Sequence, residues 1–275
     1  MIQLRATARL LVAFGAAIAA MALLVPAASA KEPAPGYERF AGCPSPEENP
    51  ATVFCIRSDV KSGHLQTGKK DVTIENPLSL VGGLDGQLEN FSANSKGGLS
   101  KAKQKVPGGV IGITGLTWLA EFFGVEALTL YATTELAGTP SNFTFNEVTL
   151  PVKAHLETPS GVLGKNCYVG SNTDPMTLHL ITGTTNPPPP NEPITGKEGE
   201  FAETETLLTF KGGTFVDNEF AAPGASGCTL TLFGFIPISL NGLVNSQAGL
   251  PSPAGTNETV QNLDLELTLQ ELVYP

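Results

Sequence analysis

Gly63-His-Leu-Gln-Thr-Gly68-Lys69 has the spacing of a phosphate-binding loop, in which backbone N–H groups and a lysine cradle phosphate oxygens. That chemistry also needs a Ser or Thr next in the chain for Mg²⁺, and a helix whose N-terminus faces the phosphates. Here Lys70 follows, and Asp71 to Glu75 alternates polar with apolar, a strand pattern. The stretch therefore reads as a tight turn.

The histidines are His64, His155 and His179. His155 and His179 take the outward parity of alternating segments. On neighbouring strands their rings could converge, with Glu157 or Asp174, to bind a metal or act as a base. No HExxH or His-x-His spacing accompanies them, and surface histidines without a role share this pattern. Gly224-Ala-Ser226-Gly227 is the nearest approach to a nucleophile elbow, but Cys228 follows directly and the segment reads as the turn that presents it. Asp264 and Glu266 share one strand face, whereas a glycosidase sets its two carboxylates across a sugar, usually from different strands. Asn172 and Asp174 could ligate Ca²⁺, but their spacing is not that of an EF-hand and suits turn capping. These readings leave no catalytic residue, metal site or cofactor to expect.

Two features could support binding. Lys96, Lys101, Lys103 and Lys105 form a basic run with no acid between them. In an acidic chain, such a run could contact anionic wall polymers, glycans or lipid headgroups. Beside it, Val110 to Phe123 is apolar and holds the sole tryptophan, Trp118. It could lie at a lipid interface or pack as a core helix.

The framework that must position these residues begins after an export signal. Arg5 and Arg9 precede a 16-residue apolar run, Leu10 to Val25, and Ala28-Ser29-Ala30 offers a small-residue cleavage site. Cleavage after Ala30 removes two arginines and leaves 14 basic against 26 acidic residues, a net charge of −12. That charge argues against nucleic acid as a partner. No later apolar run is long enough to span a membrane. The four cysteines all follow the signal, and an even count in an oxidising compartment reads as two disulfides. Of the three connectivities, Cys43–Cys55 with Cys167–Cys228 is favoured. The first pair is near in sequence with prolines between, and the second closes a long loop.

Thirty glycines and 22 prolines with only 15% charged residues suit a turn-rich exported protein. Strand alternation is clearest at Val148–Leu156, Met176–Thr182 and Leu263–Leu269. Shorter strands are expected at Val53–Arg57, Asp71–Glu75, on both sides of Gly212-Gly213, and at Thr229–Phe235. Gly63 to Lys70 is expected to turn. Pro151 points to an edge strand or a bulge. Helical spacing of Leu116, Leu119, Ala120 and Phe123 places one short helix over Gly115–Phe123, and a second candidate covers Ile238–Leu250. The expectation is an all-β fold, a β-sandwich or irregular barrel of about ten short antiparallel strands with one or two short helices. Residues 1–30 form the signal, 31–42 a flexible lead-in, and 43–275 a disulfide-stapled β domain. Two packed halves with a boundary near 140 are the alternative organisation.

The order of Cys43 and Cys55, Pro107-Gly108-Gly109, LPVKAHL (150–156), LGKNCYVGS (163–171), the proline-rich run through Gly196, Gly227-Cys228 and GLPSPAGTN (249–257) resembles secreted proteins of high-GC Gram-positive actinobacteria. That group has no assigned activity, so the resemblance implies compartment and lineage and carries over no catalytic residues. The functional expectation is a secreted, non-catalytic extracellular or cell-surface protein with a binding or structural role. Its alternatives are an extracellular carrier of lipid or another hydrophobic ligand, and a secreted hydrolase.

Overall fold

The computed structural model describes residues 31–275; the export signal read from residues 1–30 lies outside the described residues. The first half holds β1 (Phe54–Thr67), β2 (Lys70–Thr73), β3 (Leu78–Leu84), β4 (Phe91–Ser92), β5 (Gly98–Leu99), β6 (Lys103–Val106), α1 (Gly109–Thr114), α2 (Leu119–Phe123) and β7 (Leu130–Leu136). The second holds β8 (Glu147–Glu157), β9 (Tyr168–Val169), β10 (Met176–Ile181), β11 (Glu200–Glu203), β12 (Leu208–Asp217), β13 (Ala225–Ser226), β14 (Thr229–Leu232), β15 (Ile236–Ser239), α3 (Asn241–Ala248), β16 (Glu258–Leu269) and α4 (Gln270–Val273). The fold is all-β, as the alternation implied. Fourteen strands join one antiparallel sheet, curled into a half-barrel, and β14–β15 forms a separate hairpin.

The spine of the sheet is β12-β16-β1-β3. Along β16, Leu263, Leu265 and Leu267 face inward and are buried, while Asp264 and Glu266 face out. Burying each such leucine contributes about 1.5–3 kcal/mol, which makes this face worth more than any polar contact on the other. β8 repeats the pattern: Val152, Ala154 and Leu156 are buried on one face.

Two strands are longer than their sequence suggests, for one reason. β1 continues through Gly63 to Thr67, so the expected turn shrinks to Gly68-Lys69. Its register against β16 shifts between Val60 and Ser62. A bulge inserts one residue, so the inward parity passes from Ile56, Ser58 and Val60 to Leu65 and Thr67. A strict period of two misses this. Likewise, the segment around Gly212-Gly213 is one strand, with a register shift between Phe210 and Gly213. Pro151 lies neither on an edge strand nor in a bulge: β8 is paired on both sides. Its carbonyl accepts the Ala137 N–H at 2.9 Å, one residue past the end of β7. The missing proline N–H therefore faces the place where the ladder stops.

The helix expected over Gly115–Phe123 forms only over its second half, as α2, and a separate helix, α1, precedes the expected range. Gly115 adopts φ 71° and ends α1 by donating its N–H to Ile111, and α2 starts only at Leu119. Trp118 stands between them, 42% exposed, and is not a core residue. The second helix starts later than expected, at Asn241, because Ile238 belongs to β15.

Both expected disulfides are present, Cys43–Cys55 and Cys167–Cys228. The lead-in, expected to be flexible, is packed down. Phe40 is fully buried beside Cys43, Cys55, Val273 and Tyr274, and the Ala34 N–H reaches the Val273 carbonyl at 2.8 Å. The apolar Phe40 supplies the reason, since it fills the outer side of the first disulfide.

Candidate functional site

The curl of the sheet surrounds an apolar void of about 130 Å³. Its wall runs along β1 from Ser58 to Thr67, roughly 30 Å of strand. Val148, Leu150 and Val152 of β8, and Met176, Leu178 and Leu180 of β10, face it from the opposite side. These are the inward sets that alternation identified. At one end α1 and α3 close over it through Ile113, Val244 and Ala248. At the other, Phe143 stacks on Phe91 at 5.6 Å and separates the void from a pocket of about 20 Å³ behind it.

Two joints complete the curl, and each is bridged by one buried polar side chain. Between β6 and the segment after β2, Gln104 Oε1 accepts the N–H groups of Glu75 and Asn76 at 2.9 and 3.0 Å, and its Nε2 donates to the Asn76 carbonyl at 2.7 Å. Between β10 and β12 the ladder has one registered pair, Ile181 with Val216. There the Asp217 carboxylate accepts the N–H groups of His179 at 2.6 Å and Glu219 at 2.8 Å. Burial pushes the Asp217 carboxyl above the ordinary carboxylate range, against the two hydrogen bonds that favour its charge. Asp217→Ala is expected to cost about 1–3 kcal/mol at neutral pH, because two part-buried N–H groups lose their acceptor. A group with a raised folded pKa stabilises most below its unfolded value and loses that contribution as pH rises through the folded one. The stability gap between parent and variant, read from urea midpoints, should therefore widen as pH falls through the carboxylate range.

The cavity lining has one charged residue among the described residues, Lys70. It shares its parity on β2 with Val72, and the inward course continues at Ile74. A lysine in step with two β-branched apolar residues was the sequence signal for it, and the phosphate-loop reading drew attention away. Its Nζ donates to the Gly112 carbonyl in α1 at 2.8 Å. The hairpin that carries it is fixed by the Lys69 N–H, which donates to the Ala248 carbonyl of α3 at 2.8 Å. Gln261, 8% exposed, also lines the void, and its Nε2 reaches Thr259 Oγ1 only at 3.4 Å.

The other candidate residues are placed apart. His155 and His179 do lie on neighbouring strands, but His179 pairs opposite Thr149, six positions and about 20 Å from His155. His155 stacks on Tyr168 at 4.5 Å and bonds the Lys165 carbonyl at 3.0 Å, while His179 bonds Glu147 at 2.8 Å. His64 sits between Asp71 at 2.9 Å and Glu258 at 3.6 Å on the outer face. Asp264 pairs with Lys61 and Glu266 with Arg39, so the two carboxylates serve separate ion pairs. Burial raises the Asp264 carboxyl, but the Lys61 ammonium and the Gly212 N–H outweigh it and hold the group below the ordinary range. Asn172 Oδ1 accepts from Lys153 Nζ at 2.9 Å, which puts an ammonium where a Ca²⁺ ligand would be needed. Among the described residues, no group of three His, Cys, Asp or Glu side chains could hold a metal. Ser226 belongs to β13, and Gly227, at φ 70°, leads into Cys228.

The basic run is spread over several elements. Lys103 and Lys105 share the outer face of β6, Lys96 and Lys101 lie in flanking loops, and Lys96 and Lys103 pair with Glu32 and Glu157, both at 3.0 Å. Trp118 meets Phe122 edge-on at 6.1 Å, and Phe122 is 79% exposed. The β14–β15 turn exposes Phe233 and Phe235. No described helix is long and apolar enough to cross a membrane. No family model, curated protein or solved structure matches the chain.

Proposed function

We propose that this protein is a secreted, non-catalytic binder of an apolar small molecule, held inside the half-barrel. The observation that carries this reading is the void itself. An apolar cavity near 150 Å³ stays dry and takes up apolar guests, because its lining has lost contacts on one side. The 130 Å³ here belongs in that range. The chain start and the two disulfides support an oxidising compartment. Binding at the surface through Lys101, Lys105 and Trp118, to a wall polymer, lipid or glycan, is a separate proposal that the lysines' dispersal supports less. The hydrolase reading is supported least, since each histidine is held by a different partner.

The test is uptake of N-phenyl-1-naphthylamine, a neutral apolar probe that fluoresces when it leaves water. Residues 31–275 are expected to bind it saturably at one site. Ala132 lines the void from β7, so Ala132→Phe should fill the space and weaken uptake by about tenfold or more. Absence of saturable uptake by the parent, or full uptake by a folded Ala132→Phe, overturns the proposal.

A further inference from the structure

We infer that the cavity's ligand is an amphiphile whose anionic headgroup is received by Lys70; this rests on the apolar-binder reading above. The lining is aliphatic and aromatic along its length, and its one charge among the described residues sits at the end closed by α1 and α3. An ammonium has three N–H donors. One goes to the Gly112 carbonyl, and no described carboxylate pairs with Nζ. Lys70 is half-buried, so its ammonium keeps access to water, and a guest that displaces that water must replace its hydrogen bonds. A carboxylate on the guest would supply the pairing and accept the remaining donors.

The position is held rather than incidental. Lys70 pairs with Thr67 across the hairpin, on the inward parity of both strands. Gly68 N–H donates to Asn257 Oδ1 at 2.9 Å, and the Lys69 N–H is fixed to α3, so the turn has little freedom. The α1 carbonyl steadies Nζ at that end, where the negative end of the helix favours a cation. Thr67 and Gln261 add polar groups on the same wall without adding charge. A guest of matching shape would lay an alkyl chain along Val60, Leu263 and Leu178 and place its headgroup at the hairpin. Each of these three residues lines the void.

The rest of the molecule works against this preference, which makes the test sharp. The full chain carries a formal net charge of −10, so its overall field disfavours anions. Any preference for an anionic guest must then come from a local cation.

The experiment compares decanoate, decanol and decylamine by calorimetric titration at pH 7.5. Parent protein is expected to bind decanoate about tenfold tighter than decanol, with decylamine weakest, as a charge-assisted hydrogen bond implies. Lys70→Met keeps the length and apolar stem of the side chain. It should bring decanoate and decanol within about twofold of each other. Lys70→Arg should keep the preference. The proposal is overturned if the parent binds decanol or decylamine as tightly as decanoate, or if folded Lys70→Met retains the preference; in either case the apolar-binder reading stands. If none of the three binds the parent, that reading fails as well. Should Lys70→Met not fold, the parent's ranking of the three guests decides by itself.

Discussion

Cys167→Ser with Cys228→Ser is expected to lower unfolding stability by about 4 kcal/mol, more than the loss of any one hydrogen bond or ion pair in the molecule. The bridge spans 61 positions of sequence, and in the chain-entropy account a loop of that length loses this much when opened in the unfolded state. Both cysteines are fully buried, so the two hydroxyls that replace them would also lie in apolar surroundings. The bridge joins the β9 segment to the start of β14, and little other pairing secures that corner. β9 meets β8 through two registered residue pairs and β13 through two more. Urea midpoints for oxidised parent, reduced parent and double variant would check this. A double variant as stable as the oxidised parent would show that the corner is held by the ladders alone. Loss of β9 should also loosen the cavity wall at Val169, so the variant should take up apolar probe more weakly even where it remains folded.

Gly63→Ala is expected to cost about 3 kcal/mol, combining backbone strain with displaced ladder hydrogen bonds. Gly63 has φ +146°, and a Cβ there would stand 2.0 Å from the Val260 carbonyl oxygen. Neither the rotation nor the approach is open to an L side chain, and the obstacle is backbone in the partner strand. Gly63 follows the register shift between β1 and β16, the most extensive pairing in the sheet. The matched control is Gly242→Ala in α3. There a Cβ meets nothing within 4 Å, and the backbone is already helical. That change should stabilise by about 0.5–1 kcal/mol through helix propensity. Thermal denaturation of both variants separates the two uses of glycine, and similar midpoints would refute the claim that Gly63 is required by the close approach of β16.

The same glycine shows how a motif reads differently in one and in three dimensions. In sequence, Gly63 and Gly68-Lys69 have the spacing of a phosphate loop. In the fold, Gly63 lies in the β1–β16 ladder just past the bulge, Gly68 makes the hairpin turn, and Lys70 lines one end of the cavity. The alternation of β8, β10 and β16 gave each inward face correctly, because a two-residue period is local and burial enforces it. The bulges of β1 and β12 hid two long strands, because one inserted residue breaks the period without any composition signal. Histidine parity was also legible: His155 and His179 do face out on neighbouring strands. Their separation was not, because register depends on the partner strand.

From the sequence alone came the all-β class, the cysteine pairing, the outward and inward faces of the principal strands, and the acidic balance. Each follows from composition or from a period shorter than one strand. The tertiary structure decided that the sheet curls into a half-barrel, that Gln104 and Asp217 bridge its two weak joints, and that the inward faces leave a void between them. It also decided that Lys70 stands at one end of that void. Such features depend on how far strands bend and on which chain segments meet across the curl, and residues far apart in sequence set both.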